Sequence, residues 1–185
     1  MKMGRKSASH ELVKECIYTA LMDLMEKKDY DKITITDITN RAGVSRMSYY
    51  RLYQSKDDII ETHLIEVFEE MHRKVAEQPL MTDQEFFTCF FTTAKENALL
   101  LRNCIKANVL EFFLREIKNQ TYQLFHSYFQ PKTDSAMLNY RICFFAGGFQ
   151  QIAREWLDTG MQESVETMAA FSCSIANKLR QLQKL

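Results

Sequence analysis

The sequence predicts an all-α chain: a small three-helix unit at the N-terminal end, containing a helix-turn-helix, and a larger helical half behind it. Three observations lead there. Apolar residues recur at helical spacing along most of the 185 residues, no segment alternates as a strand does, and only two prolines and five glycines interrupt the pattern. About nine helices are expected, with a first domain over 1–55 and a second over 56–185.

Residues 1–8 carry Lys2, Arg5 and Lys6 without an acidic residue. Two readings stand open, a frayed terminus or a basic arm that follows a phosphate backbone. Ser9, His10 and Glu11 open a helix whose apolar residues Leu12, Val13, Cys16, Ile17, Ala20, Leu21, Leu24 and Met25 share one wide face. The charged run from Glu26 to Lys32 reads as a polar connection.

Thr34 and Asp37 have the spacing of a capping box, in which a hydroxyl and a carboxylate satisfy each other's backbone N–H. Gly43 stands where that helix must stop and turn, and Ser45 caps a second helix beginning at Arg46. Helix, tight turn and short helix make a helix-turn-helix, whose second helix lies in a DNA major groove. Arg46, Met47, Ser48, Tyr49, Tyr50 and Arg51 occupy barely two turns. Arginine addresses guanine or phosphate, and tyrosine and serine hydroxyls hold phosphates, so these six are candidate DNA contacts together with Thr34, Thr36, Ser45, Lys6 and Lys56. One tyrosine is expected to be core, and Tyr53 is assigned that place. Ser55 caps a long helix running to about Glu77, with Asp57 and Asp58 complementing its dipole and Lys56 placed to meet a docked phosphate.

In the second half, Thr82 and Glu85 repeat the capping-box spacing before Phe86, Phe87, Phe90 and Phe91, and Asn97 breaks that helix. Further helices are expected over 98–106, from Val109 to about Phe129 with Pro131 ending it, over 135–158 stopped by Gly160, and from Ser164 onward. Gly147 and Gly148 lie inside a strongly apolar helix, where each costs about 1 kcal/mol against alanine. Close helix packing and room for a ligand both account for them.

Formal net charge is +0, so nucleic-acid binding requires a local basic patch rather than a polycation. Five scattered cysteines without a C-x-x-C, no signal peptide and no uncharged run of about 20 residues lead to the expectation of a reduced, cytoplasmic protein with no membrane span. Glu69 and His72 have the Glu-x-x-His spacing of di-iron bundles, but that pattern has no second copy here. No phosphate loop, nucleophile elbow or zinc set is present. The expectation is no catalytic residue, no metal and no cofactor. A helical scaffold is the reading from another class, and it leaves residues 45–56 without a purpose.

Thr34, Asp37, Ile38, Ala42, Gly43, Val44, Ser45, Ser48, Tyr50, Ser55, Lys56 and Ile59 together closely resemble the DNA-binding domain of the tetracycline-repressor (TetR) family, over roughly residues 10–60. Met47 departs from the small residue usual there, and Leu52-Tyr53 from the usual aromatic pair. The run Phe145-Ala-Gly-Gly-Phe149, Glu155 to Met161, and Ser164-x-Glu-x-Met168 resembles the C-terminal half of one TetR subgroup. The resemblance implies a DNA-binding regulator, most often a repressor, that reads a palindromic operator as a homodimer; an activator of the same fold is the alternative. It implies a dimer interface on the last two long helices, with Phe149, Ile152, Trp156, Met168, Phe171, Ile175 and Leu179 as candidates. It also implies a pocket for a small effector, with Phe86, Phe90, Cys104, Asn108, Phe112, Tyr122 and Phe145 as candidates, each of which reads equally well as core. The sequence names no effector. Effector binding would shift the helix rooted at Lys56 and with it the separation of the two recognition helices.

Overall fold

The computed structural model describes residues 3–78, 80–110 and 136–181. Among them are eight α-helices and no strand: α1 Met3–Lys27, α2 Ile35–Ala42, α3 Arg46–Tyr50, α4 Lys56–Ala76, α5 Asp83–Glu96, α6 Ala98–Lys106, α7 Ala136–Asp158 and α8 Val165–Gln181. The chain divides into two compact units. The first holds residues 1–64 and 103–110, the second 65–102 and 111–185. The helix expected from Val109 to Phe129 lies outside the described residues beyond Leu110, as does Pro131.

The capping signals form as their chemistry requires. Thr34 Oγ1 accepts the Asp37 N–H at 3.1 Å and the Asp37 carboxylate accepts the Thr34 N–H at 2.9 Å. Thr82 and Glu85 repeat the arrangement. Gly43 takes a left-handed φ of 65°, so the Val44 N–H reaches back to the Thr39 carbonyl at 3.1 Å and closes α2. Gly160, at φ 86°, ends α7 in the same way.

The first unit differs from expectation at two places. α1 begins at Met3 rather than Ser9, because residues 3–9 contain no proline and continue the helical ladder. The polar connection contains a 3-10 turn, Tyr30–Lys32, and Tyr30 is buried. Its hydroxyl donates to the Asp57 carboxylate at the start of α4. The core comprises Ile17, Leu21, Met22, Ile38, Tyr49, Ile59 and Ile60, all fully buried. Asn103, near the end of α6, donates to the Met22 carbonyl of α1 at 3.1 Å.

In the second unit α5 packs on α8 and, less extensively, on α7. Phe87 meets Phe149 at 4.5 Å between ring centroids, and Phe91 meets the edge of Trp156 at 5.4 Å. Ala153, Val165, Met168, Ala169 and Ala176 complete this core. The four aromatic positions of α5 are therefore a packing face, and Trp156 fits it with its indole N–H satisfied by the Glu163 carbonyl at 3.1 Å.

Candidate nucleic-acid interface

The site begins with the turn. Gly43 lets the chain reverse, and Ser45 then receives the Ser48 N–H at 3.0 Å and fixes the first residue of α3 as Arg46. Tyr49 anchors α3 by its inward side. It is 0% exposed, with ring contacts to Tyr50 at 5.4 Å and Tyr53 at 6.0 Å. Successive residues turn by about 100°, so burial of Tyr49 places Met47 and Arg51 on the opposite, outermost side of α3. Met47 is 69% exposed and Tyr50 56%. Arg46 and Arg51 are exposed as well.

These outward side chains are held by one another. The Arg46 guanidinium donates to Thr36 Oγ1 on α2, and Arg51 Nη2 reaches Met47 Sδ at 3.6 Å. Ser45 and Ser48 hydroxyls lie 2.9 Å apart. Between Ile38 and Lys56 the sequence has Arg41, Arg46, Arg51 and Lys56 and no acidic residue. In a chain of net charge zero, that is a local cationic stretch, exposed at Arg46 and Arg51 and suited to a polyanion. The acid-free run was available in the sequence as the patch that net charge alone demanded.

Two expected contacts have other roles. Tyr49 is a core residue like Tyr53, and burial, followed by the charge of Asp58, pushes its phenol above the usual range. Its hydroxyl is buried with the ring and finds no hydrogen-bond partner among the described residues. The Lys56 ammonium donates to the carbonyls of Tyr30 at 2.6 Å and Ile33 at 3.2 Å, and sits 4.3 Å from the Tyr30 ring centroid. Lys56 thus ties the start of α4 to the turn before α2, with a third ammonium N–H remaining for a phosphate. Lys6 falls in the first turns of α1 with its side chain outside the described set. Thr34 spends its hydroxyl on the capping box, while Thr36 is half-buried beside Arg46.

Ion pairs brace the surface from behind. Arg41 of α2 pairs with Asp23 of α1 at 2.5 Å, and Lys28 with Asp37 at 2.8 Å. The hydrogen bond from Lys28, with those from Thr34, lowers the Asp37 pKa from its ordinary 3.8 to about 2. A carboxylate depressed in the folded state contributes stability that is complete above its unfolded pKa and lost as pH falls through the folded value. Acid unfolding followed by circular dichroism is therefore expected to show a component between about pH 4 and 2 that Asp37→Asn removes. An unchanged acid limb in that variant would contradict the assignment.

The candidates of the second half fall in both units. Phe86 is core of the second unit, and Phe90 is half-buried against Phe91 at 5.1 Å. Cys104 belongs to the core of the first unit, where burial pushes its thiol up to about 12. Asn108, also in the first unit, is an exposed helix cap: it takes φ 56° while the Val109 N–H returns to the Cys104 carbonyl at 3.0 Å. Phe112 and Tyr122 lie outside the described residues, and so do the side chains of Phe145 and Leu179. Of the seven, Phe86 and Phe90 are thus described within the second unit and Cys104 and Asn108 within the first. Of the dimer candidates, Phe149, Trp156 and Met168 are buried within the subunit because α5 covers them. Ile152 and Ile175 are half-buried and Phe171 is exposed. Among the described side chains of α7, Tyr140 (70%) and Phe144 (68%) are large exposed apolar residues that periodicity did not single out, followed on the same side by Gly147, Gly148 and Gln151. Glu69 is exposed and His72 half-buried, with burial lowering the imidazole pKa. Among the described residues no three His, Cys, Asp or Glu side chains converge as a metal site requires, and no helix is long and apolar enough to cross a membrane.

Comparison with known proteins places this geometry. The family described as bacterial regulatory proteins, tetR family, matches residues 17–62, and the transcriptional regulator C-terminal region matches residues 82–178. An uncharacterized HTH-type transcriptional regulator of Bacillus subtilis (strain 168), YxbF, is 36% identical over 50 residues. That alignment spans 26% of this chain and 13% of the relative. Solved structures extend the likeness in fold to nearly the full length. A TetR-family regulator from Syntrophomonas wolfei superposes with a TM-score of 0.72 at 14% identity, over 90% of this chain and 94% of its own. A TetR regulator from Streptococcus agalactiae 2603V gives 0.69 at 19%, over 92% and 96%. The dihydroxyacetone kinase operon activator DhaS gives 0.63 at 18%, over 92% and 97%. With both its helix-turn-helix end and its C-terminal helical region matched, the chain belongs to the TetR family of transcriptional regulators.

Proposed function

We propose that the protein acts in the cytoplasm as a homodimeric repressor without enzymatic activity, binding a palindromic operator through α2 and α3 and modulated by a small-molecule effector held in its second half. The observation that carries the DNA-reading role is the outward face of α3. Met47 and Arg51 are exposed opposite buried Tyr49, and Arg46 and Tyr50 are exposed beside them, all within a stretch of sequence without an acidic residue. A scaffold function has no use for such a surface. Thr34, Ser45 and Ser48 line its edge, and Lys56 adds the remaining ammonium N–H.

The test is binding of the purified protein to duplexes tiled from the DNA upstream of its own gene, by fluorescence anisotropy across salt concentrations. Specific binding is expected to weaken steeply with salt, since each neutralised phosphate releases counterions. No preference over random duplex at moderate salt would refute the reading. DhaS, which shares the fold, is an operon activator by name, so activation is the second reading. A reporter driven by the bound promoter separates the two by the sign of its response to deletion of the regulator.

The stripe Tyr140, Phe144, Gly147, Gly148 and Gln151 on α7, with Phe171 on α8, supports the homodimer. A two-fold axis brings the same patch of each subunit together, and glycines let two helices approach closely. A Cβ built at either glycine meets nothing within 4 Å among the described residues. Gly147→Leu with Gly148→Leu is therefore expected to raise helix stability within the subunit while splitting the dimer, as light scattering would register. A doubly substituted protein that stays dimeric would remove this stripe from the interface.

A further inference from the structure

We propose that Met47 reads the methyl group of a thymine in the major groove, making it a specificity-determining residue alongside the arginines. This rests on the DNA-reading role proposed for α3 and names the chemical group that one position of that helix recognises.

Met47 is the second residue of α3 and lies on the side away from buried Tyr49, with its side chain exposed. The first residues of a recognition helix are the ones that reach base edges. A thioether carries no N–H or O–H. It cannot satisfy the N7, O6 or O4 acceptors of a base, and against any of them it displaces water without replacing the hydrogen bond. The major-groove edge of the four standard bases displays one methyl group, at C5 of thymine, and apolar side chains pack on it. The contact of Arg51 Nη2 on Sδ at 3.6 Å draws the flexible thioether toward the next turn of α3. Arg46 and Arg51, both exposed, supply positive charge that draws the polyanion to this helix. A 69%-exposed methionine between two exposed arginines, in a stretch of sequence without an acidic residue, is thus an apolar reader with polar supports.

The experiment selects duplexes from a randomised library with the full-length protein. It then remakes the selected duplex with deoxyuridine in place of each thymine in turn, which deletes only the methyl. For the wild-type protein, one thymine per half-site is expected to cost about fourfold in affinity, the worth of one buried methyl-sized group. Met47→Ala is expected to bind the thymine duplex about as weakly as the wild type binds the uracil duplex, and to ignore the exchange. Circular dichroism of Met47→Ala should match wild type, since the side chain supports no core. Enrichment of a sequence in which every exchange is neutral, or in which Met47→Ala keeps the same sensitivity, overturns the proposal and leaves DNA reading intact. Failure of the library to enrich any sequence overturns the DNA-reading role itself.

Discussion

Trp156→Ala is expected to destabilise the second unit by about 3–5 kcal/mol, the usual cost of emptying a large aromatic site in a packed core. The indole is 2% exposed, meets the edge of Phe91 at 5.4 Å, and stands in the layer where α5 packs against α7 and α8. Truncation to a methyl group leaves a cavity between helices that are themselves held by neighbouring aromatics, so collapse is only partial. Phe87 and Phe149, 4.5 Å apart, brace the same layer and limit relaxation. Loss of the indole N–H also frees the Glu163 carbonyl, but Glu163 is exposed and water replaces that bond, so packing accounts for most of the effect. Since a domain's whole stability is about 5–15 kcal/mol, urea unfolding should show either a sharply lowered midpoint or a second unit already open. Trp156→Phe, which retains most of the volume, should recover much of the loss. A cost below about 1 kcal/mol for the alanine variant, far under the usual range for a large buried aromatic, would mean that Trp156 is not the keystone of this layer.

The local chemistry of the fold was legible in the sequence, and the tertiary partners were not. Thr34, Ser45, Thr82 and Ser164 cap helices where their spacing places them, because a cap is a contract among residues three apart. Gly43 and Gly160 end helices for an equally local reason, their left-handed backbone. Burial is a different kind of fact. The periodicity of α7 puts Phe149 and Trp156 on one apolar face, but it does not say whether α5 or a second subunit covers that face. The structure gives it to α5. Lys56 was legible as a cation at a helix start, whereas its carbonyl partners, Tyr30 and Ile33, come from a turn more than twenty residues earlier. Tyr30 was hidden by its charged neighbours, and its burial is set by the Asp57 carboxylate and the Lys56 ammonium that meet it. The left-handed backbone of Asn108, which caps α6, was not legible either, because nothing in the residues around it marks that conformation.

Arg46→Ala is expected to lower affinity for the selected operator by about 1–3 kcal/mol, roughly 5- to 160-fold, and to relax preference at one base pair per half-site. Arg46 is the first residue of α3, where a recognition helix meets base edges, and its guanidinium is tethered to Thr36 Oγ1 on the preceding helix. The tether limits the rotamers of a long side chain before DNA arrives, so less entropy is lost on binding. Thr36→Val, which removes the hydroxyl and keeps the branch, should therefore weaken specific binding modestly while leaving the base preference in place. A phosphate contact behaves otherwise: its loss weakens every sequence alike and lowers the salt slope by about one. Measuring Arg46→Ala on the operator and on variants of each base pair, at several salt concentrations, distinguishes the two. Uniform loss across all variants with a shallower salt slope would make Arg46 a backbone anchor and pass the base-reading role to Arg51, Met47 and Tyr50 on the outer face. Selective loss at one position, with the slope nearly unchanged, is the result expected of a side chain held by Thr36 at the leading turn of α3.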